Sequence, residues 1–147
     1  MSKSNAFEYA IQTHIFNNAA ISGIGDATGL PASATAGNLY IALYTSDPGE
    51  TGTATTNECT DGGYARVAVP RSSAGFTCTA SSGNVANAAA ITFGAFTTGA
   101  TITHFGIVSS ASGAGTLLKS GALTTSRTIS AGTAPYFAAG DLTDVED

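Results

Sequence analysis

A chain of 147 residues is one domain by size and long enough to bury a core, yet only 10% of it is charged, against roughly 25% in an ordinary soluble domain. The net charge of −5 and five scattered cations (Lys3, Arg66, Arg71, Lys119, Arg127) exclude the clustered basic surface that nucleic acid requires. No run approaches the roughly 18 continuous apolar residues of a membrane span. Ala, Gly, Ser and Thr fill the gap, giving a poorly ionised surface suited to close packing and weakly defended against association.

The chain opens Met-Ser-Lys-Ser-Asn and runs straight into Glu8, which does not read as a secretory signal. Residues 5 to 20 read as a helix. Asn5 followed by Glu8 fits a capping box, and Phe7, Ala10, Ile11, His14 and Ile15 recur at helical spacing to form one apolar face. Asn17 and Asn18 are the expected terminators, with Gly23, Gly25, Gly29 and Pro31 in the loop that follows. So short a helix must pack on something, either its own sheet or a neighbouring subunit.

In Asn38 to Tyr44, Leu39, Ile41 and Leu43 point to one face of a strand while Tyr40, Ala42 and Tyr44 point to the other. Asp47-Pro48-Gly49 ends it with turn chemistry, and Thr45 to Gly63 is the longest stretch without a strand pattern. Gly62-Gly63-Tyr64-Ala65-Arg66 leads into the second strand, expected at 65–69. Further strands are expected at 75–79, 84–87, 90–93, 101–108, 115–120, 127–130 and 136–142. Ser112-Gly113-Ala114-Gly115 reads as a hairpin turn. Gly and Ser clusters at intervals of about ten residues, with no βαβ alternation, give a mainly β fold: a compact antiparallel β-sandwich with a short N-terminal α-helix. The division expected is 1–30 for helix and connecting loop and 31–147 for the sandwich. Strand 101–108, apolar on both alternations, is expected to be covered on both faces.

Chemistry-bearing residues are few. Between Asp61 and Asp141 there is no carboxylate, so most of the sheet lacks a carboxylate acid, base or metal ligand. The rest lie at the ends: Glu8 and Asp26 early, Asp47, Glu50, Glu58 and Asp61 in the long loop, and Asp141, Asp144, Glu146 and Asp147 late. His14 and His104 have no sequence partner and read as structural. No Gly-x-Ser-x-Gly elbow or P-loop occurs, so neither a catalytic site nor a cofactor is expected. The four loop carboxylates could clasp Ca²⁺, but their spacing is not that of an EF-hand and a solvated acidic loop is preferred, with no metal site assigned. Cys59 and Cys78 stand without CxxC pairing; a bridge within the chain, a bridge between chains and two free thiols all remain open.

Two surfaces are candidate interfaces. One is the helix face of Phe7, Ile11 and Ile15. The other is the long loop with its exit, through Asp47, Glu50, Tyr64 and Arg66, because Arg66 is one of only five cations and can fork onto a carboxylate or carbonyls. The competing role for Arg66 is pairing with an acid of its own loop.

The string LYIALYTSDPGETG followed by GGYARVAVPRS resembles small tailed-bacteriophage virion proteins, commonly labelled tail fibre or head-decoration proteins. Asn87 to Phe93, Thr103 to Ile107, Leu118 to Leu123 and Phe137 to Leu142 continue the resemblance along nearly the whole chain. It implies a structural component made in a bacterial cytoplasm and used in the virion, with other virion proteins and copies of itself as partners and no role for nucleic acid or membrane. A host-surface glycan is a further partner that an adhesin would have. The single-domain length and absence of heptads or a stalk favour a capsid-surface decoration or cement protein. A tail fibre or baseplate-associated adhesin is the alternative, and a particle-borne glycan hydrolase a remote one, since the sheet offers no carboxylate pair.

Overall fold

The computed structural model of the chain describes residues 2–145; Met1, Glu146 and Asp147 lie outside the described residues. The protein is mainly β, with one N-terminal helix and antiparallel sheets. Its elements are α1 (Asn5–Asn17), β1 (Asn38–Tyr44), β2 (Val67–Pro70), β3 (Phe76–Cys78), β4 (Val85–Asn87), β5 (Ile91–Thr92), β6 (Gly99–Val108), β7 (Leu117–Ser130), β8 (Tyr136–Phe137) and β9 (Thr143–Asp144). They form sheets ordered β2-β1-β6-β7, β3-β4-β9 and β5-β8. The chain forms two compact units, one comprising Met1–Asn38, Pro70–Ile91 and Phe137–Asp147, the other Leu39–Val69 and Thr92–Tyr136.

In the first unit the helix is capped by Ser4, whose Oγ accepts from Phe7 N, rather than by Asn5 as expected. Both residue types cap well, and Asn5 instead donates to Ser81 O at 2.6 Å. Asn18, in the left-handed conformation at φ 54°, ends the helix. The buried positions are Glu8, Gln12, Thr13 and Phe16, not the expected stripe: Phe7 is 40% exposed, and Ile11 and Ile15 are half-buried. Two contacts set this rotation. Phe16 meets Phe76 of β3 edge-on, with centroids 4.9 Å apart, and Gln12 Nε2 donates to Asp144 Oδ2 at 2.7 Å. Arg71 donates to the carbonyls of His14 and Ile15, both at 2.7 Å, and to Ala36 O at 3.1 Å, supplying donors and positive charge where the helix leaves carbonyls unpaired.

Asn87, 2% exposed, ties β4 to the C-terminal segment. Its Nδ2 donates to Ala138 O at 2.7 Å and Ala89 O at 2.8 Å, and its Oδ1 accepts from Leu142 N at 2.9 Å. The strand expected at 136–142 therefore stops at Phe137. Gly140 at φ 83° and the Asp141 carboxylate, accepting from Ala138 N at 2.7 Å, turn the chain into β9, an element the sequence pattern did not indicate.

In the second unit β1 pairs antiparallel with β6, Tyr40 opposite Val108 through Tyr44 opposite His104. Leu39 and all four residues from Ile41 to Tyr44 are buried, so this strand is covered on both faces. In β6 only Gly106 to Val108 are buried together, so two-sided cover is confined to its end. The strands expected at 115–120 and 127–130 are one continuous β7, because β6 pairs with Leu117–Ala122 and again with Arg127–Ser130 and so holds both ends of the Gly-, Ser- and Thr-rich stretch between them. That ladder has two irregularities: the partner changes from Arg127 at Ile102 to Ala122 at His104, so residues 123–126 face Thr103 alone, and from Lys119 at Ile107 to Leu117 at Val108, which skips Leu118.

Candidate functional site

The long loop is not loose. It folds back on the end of β1: Glu58 forms a bridge with Tyr44, Thr45 N donates to Asn57 O at 3.0 Å, Cys59 N donates to Leu43 O at 2.8 Å, and Ala54 N donates to Gly115 O at 3.1 Å. Ala54 is fully buried in a cluster with Ala42, Tyr44 and Val108. Beside this cluster, bonded to Ala54 O, lies Arg66, with a side chain 2% exposed. Nε donates to Glu58 Oε1 at 2.6 Å and Nη2 to Glu58 Oε2 at 2.7 Å, a two-pronged ion pair. Nη1 donates to Ser110 O at 2.9 Å and Ser110 Oγ at 3.0 Å, while Nη2 also donates to Gly113 O at 2.9 Å and Ala54 O at 3.2 Å. One guanidinium thus joins the loop, the second strand and the β6–β7 turn.

Two tyrosines complete this cluster. Tyr64 Oη donates to Glu58 Oε1 at 2.8 Å and accepts from Leu43 N at 3.1 Å, and its ring stacks on Phe93 at 6.1 Å. Tyr44 Oη donates to Ala54 O at 3.1 Å. Burial pushes the Tyr44 hydroxyl up to about 12, reinforced by the charge of Glu58 and opposed by that of Arg66. Burial likewise pushes Tyr64 well above the usual tyrosine range. Both rings stay neutral near neutral pH, and the Glu58 side chain is held in place by Arg66 and Tyr64.

Asp61 makes a second polar centre. Its Oδ1 accepts from Gly63 N at 2.9 Å and Thr97 N at 2.7 Å; its Oδ2 accepts from Thr98 N and Gly99 N, both at 2.9 Å, and from Thr98 Oγ1 at 2.8 Å. Burial opposes its ionisation, but the N–H donors of Gly63, Thr97 and Thr98 outweigh it and hold the carboxyl well below the usual range. The Gly-Gly step has a steric reason here. A Cβ on Gly63 would overlap the carbonyl oxygen of Ala95, whereas one on Gly62 would meet only Thr97 Oγ1, at 3.0 Å. Gly63→Ala is therefore expected to destabilise by about 1–3 kcal/mol, an overpacking cost, and Gly62→Ala by clearly less. Parallel urea titrations check this, and equal effects would refute the steric account.

The structure separates the expected interface residues. Asp47 and Glu50 are exposed, with Asp47 Oδ1 accepting from Gly49 N at 2.8 Å in the turn. Tyr64 is half-buried and Arg66 is buried, and Arg66 makes the competing contact, pairing with Glu58 of its own loop. The four loop carboxylates do not converge on a shared clasp, since Glu58 is committed to Arg66 and Asp61 to backbone N–H groups; among the described residues no His, Cys, Asp and Glu group could hold a metal. Cys59 and Cys78 are free thiols, both pushed up by burial. His14 Nδ1 lies 2.7 Å from Ala19 O and His104 Nδ1 lies 2.8 Å from Thr103 Oγ1. The sequence reading weighs Glu58 and Asp61 as loop carboxylates without assigning them a structural role, and does not single out Asn87. For Glu58 a signal existed: an acid eight residues before a cation in a chain with little charge.

What these groups do is hold backbone in place. The segments that carry them, from the first strand through the Gly-Gly-Tyr-Ala-Arg step to the C-terminal Asn87 clamp, lie inside one family pattern. No curated protein matches the chain. The family model described as Podophage GP4 fiber I protein gp80 matches residues 2–144, and the chain belongs to that family.

Proposed function

We propose that this member of the phage fibre family is a non-enzymatic structural subunit of the fibre itself, attached at the tail of the particle. The observation that carries the reading is the family match over residues 2–144, whose description names a fibre protein. It favours the alternative among the expectations above over capsid decoration. The chemistry supports a structural role: Arg66, Glu58 and Asp61 spend their hydrogen-bonding capacity on their own fold. Exposed Phe7, with half-buried Ile11 and Ile15, remains available for other virion proteins.

Gold-labelled antibody against the chain, applied to intact particles and viewed by electron microscopy, tests the location. Label confined to the tail end is expected. Label distributed over the capsid would overturn the fibre assignment and restore decoration. The same purified protein, incubated with host-envelope polysaccharide, is expected to release no new reducing ends; turnover abolished by Asp47→Asn or Glu50→Gln would overturn the non-enzymatic part.

A further inference from the structure

The four-stranded sheet ends in two unlike edges. At one lies β2, four residues long and closed by Pro70, a short edge that lacks a donor. At the other lies β7, fourteen residues long, without proline or carboxylate and with Lys119 and Arg127 as its charges. No residue of β7 is buried: nine are exposed and five intermediate, and Leu118 is 42% exposed. Moreover β1 covers β6 only from His104 to Val108, so Gly99–Ile102 and Arg127–Ser130 continue as a two-stranded ribbon. Two-stranded ribbons are marginal in water, and long edges with few charges invite pairing.

From this we infer that β7 is the contact through which one copy of this chain pairs with another. Its length suits the task. At about 3.3 Å per residue it runs for roughly 46 Å, and with sheets about 10 Å deep an edge-to-edge contact covers on the order of 450 Å² per copy. The total approaches the ~1,000 Å² that marks a specific interface. Its charges allow self-pairing. In an antiparallel pairing about the midpoint between Leu123 and Thr124, Lys119 falls opposite Thr128 and Arg127 opposite Ser120, so no like charges meet directly. The irregularity at 123–126 divides the edge into two paired runs, 117–122 and 127–130, the first of them interrupted by a second register shift at Leu118. This contact is independent of where on the particle the protein sits.

Leu118→Lys, Ser120→Lys and Ala122→Lys combined place three cations on exposed positions of one run, the device by which edges are ordinarily blunted. Thr51→Lys, Thr55→Lys and Ala111→Lys add the same charge on exposed loop positions. Light scattering on the full chain is expected to give a multiple of 14.5 kDa for the natural sequence and the loop variant, and a self-association constant at least roughly tenfold weaker for the strand variant. Far-UV circular dichroism checks that the strand variant is folded. Should it unfold, hydrogen exchange on the natural sequence decides: amides of residues 117–130 are expected to gain protection as protein concentration rises. A monomer at every concentration, a folded strand variant of unchanged mass, or concentration-independent exchange along β7 would overturn the inference.

Discussion

Arg66→Ala is expected to destabilise the protein by about 3–5 kcal/mol, the usual cost of removing one partner from a buried ion pair. The change leaves Glu58, whose side chain is 14% exposed, without its counter-charge beside the buried Tyr64 hydroxyl. It also strips donors from the carbonyls of Ala54, Ser110 and Gly113. For a total stability of roughly 5–15 kcal/mol, such a loss lowers the melting temperature by about 10 °C or more. Arg66→Lys is not expected to rescue it, because one ammonium cannot reach both Glu58 oxygens and three separate carbonyls. Removing both charges with Arg66→Met and Glu58→Gln should cost less than the two single changes summed, since neither then strands the other. Thermal and urea unfolding of the natural sequence, Arg66→Met, Glu58→Gln and the double variant measures the coupling. An Arg66→Ala protein within about 1 kcal/mol of the natural sequence would show that the pair does not hold this loop.

The pattern of β1 was legible because alternation and turn chemistry are local, and Asp47-Pro48-Gly49 marks its end. The helix was legible in existence but not in the face it buries. Periodicity alone points to Phe7, Ile11 and Ile15; burial of Gln12 becomes favourable only because Asp144, 132 residues away, accepts from its amide. Likewise nothing near Asn87 in the sequence shows that Ala138 and Leu142, 51 and 55 residues on, will fill its hydrogen-bonding positions. Arg66 illustrates the same limit from the other side. Rarity of positive charge singles it out, but whether a guanidinium turns outward to a partner or inward to Glu58 depends on where the loop lies, and that is set by Ala54, Glu58 and Cys59 closing on β1. The length of β7 was hidden because Gly121 to Ser126 carries loop composition and is held in the strand by the pairing of its flanks, Leu117–Ala122 and Arg127–Ser130, with β6.

Asp61→Asn is expected to make the protein less stable at neutral pH by an amount that vanishes in acid. The carboxylate accepts from the backbone of Gly63, Thr97, Thr98 and Gly99, donors that a neutral amide satisfies poorly since its NH₂ end faces N–H groups. Because these donors hold the folded carboxyl below the ordinary value near 3.9 of an unfolded aspartate, the unfolded chain binds more protons below that pH. Stability from Asp61 is therefore complete above about pH 4 and is lost as pH falls toward the depressed folded value. At pH 7 the variant should melt on the order of 5–10 °C lower; at pH 2.5 to 3 the gap should narrow. Urea unfolding of both proteins across this range isolates Asp61 from the other carboxylates, which are shared. A gap that stays constant from pH 7 to pH 2.5 would mean that the asparagine disturbs packing and that the charge on Asp61 contributes nothing of its own.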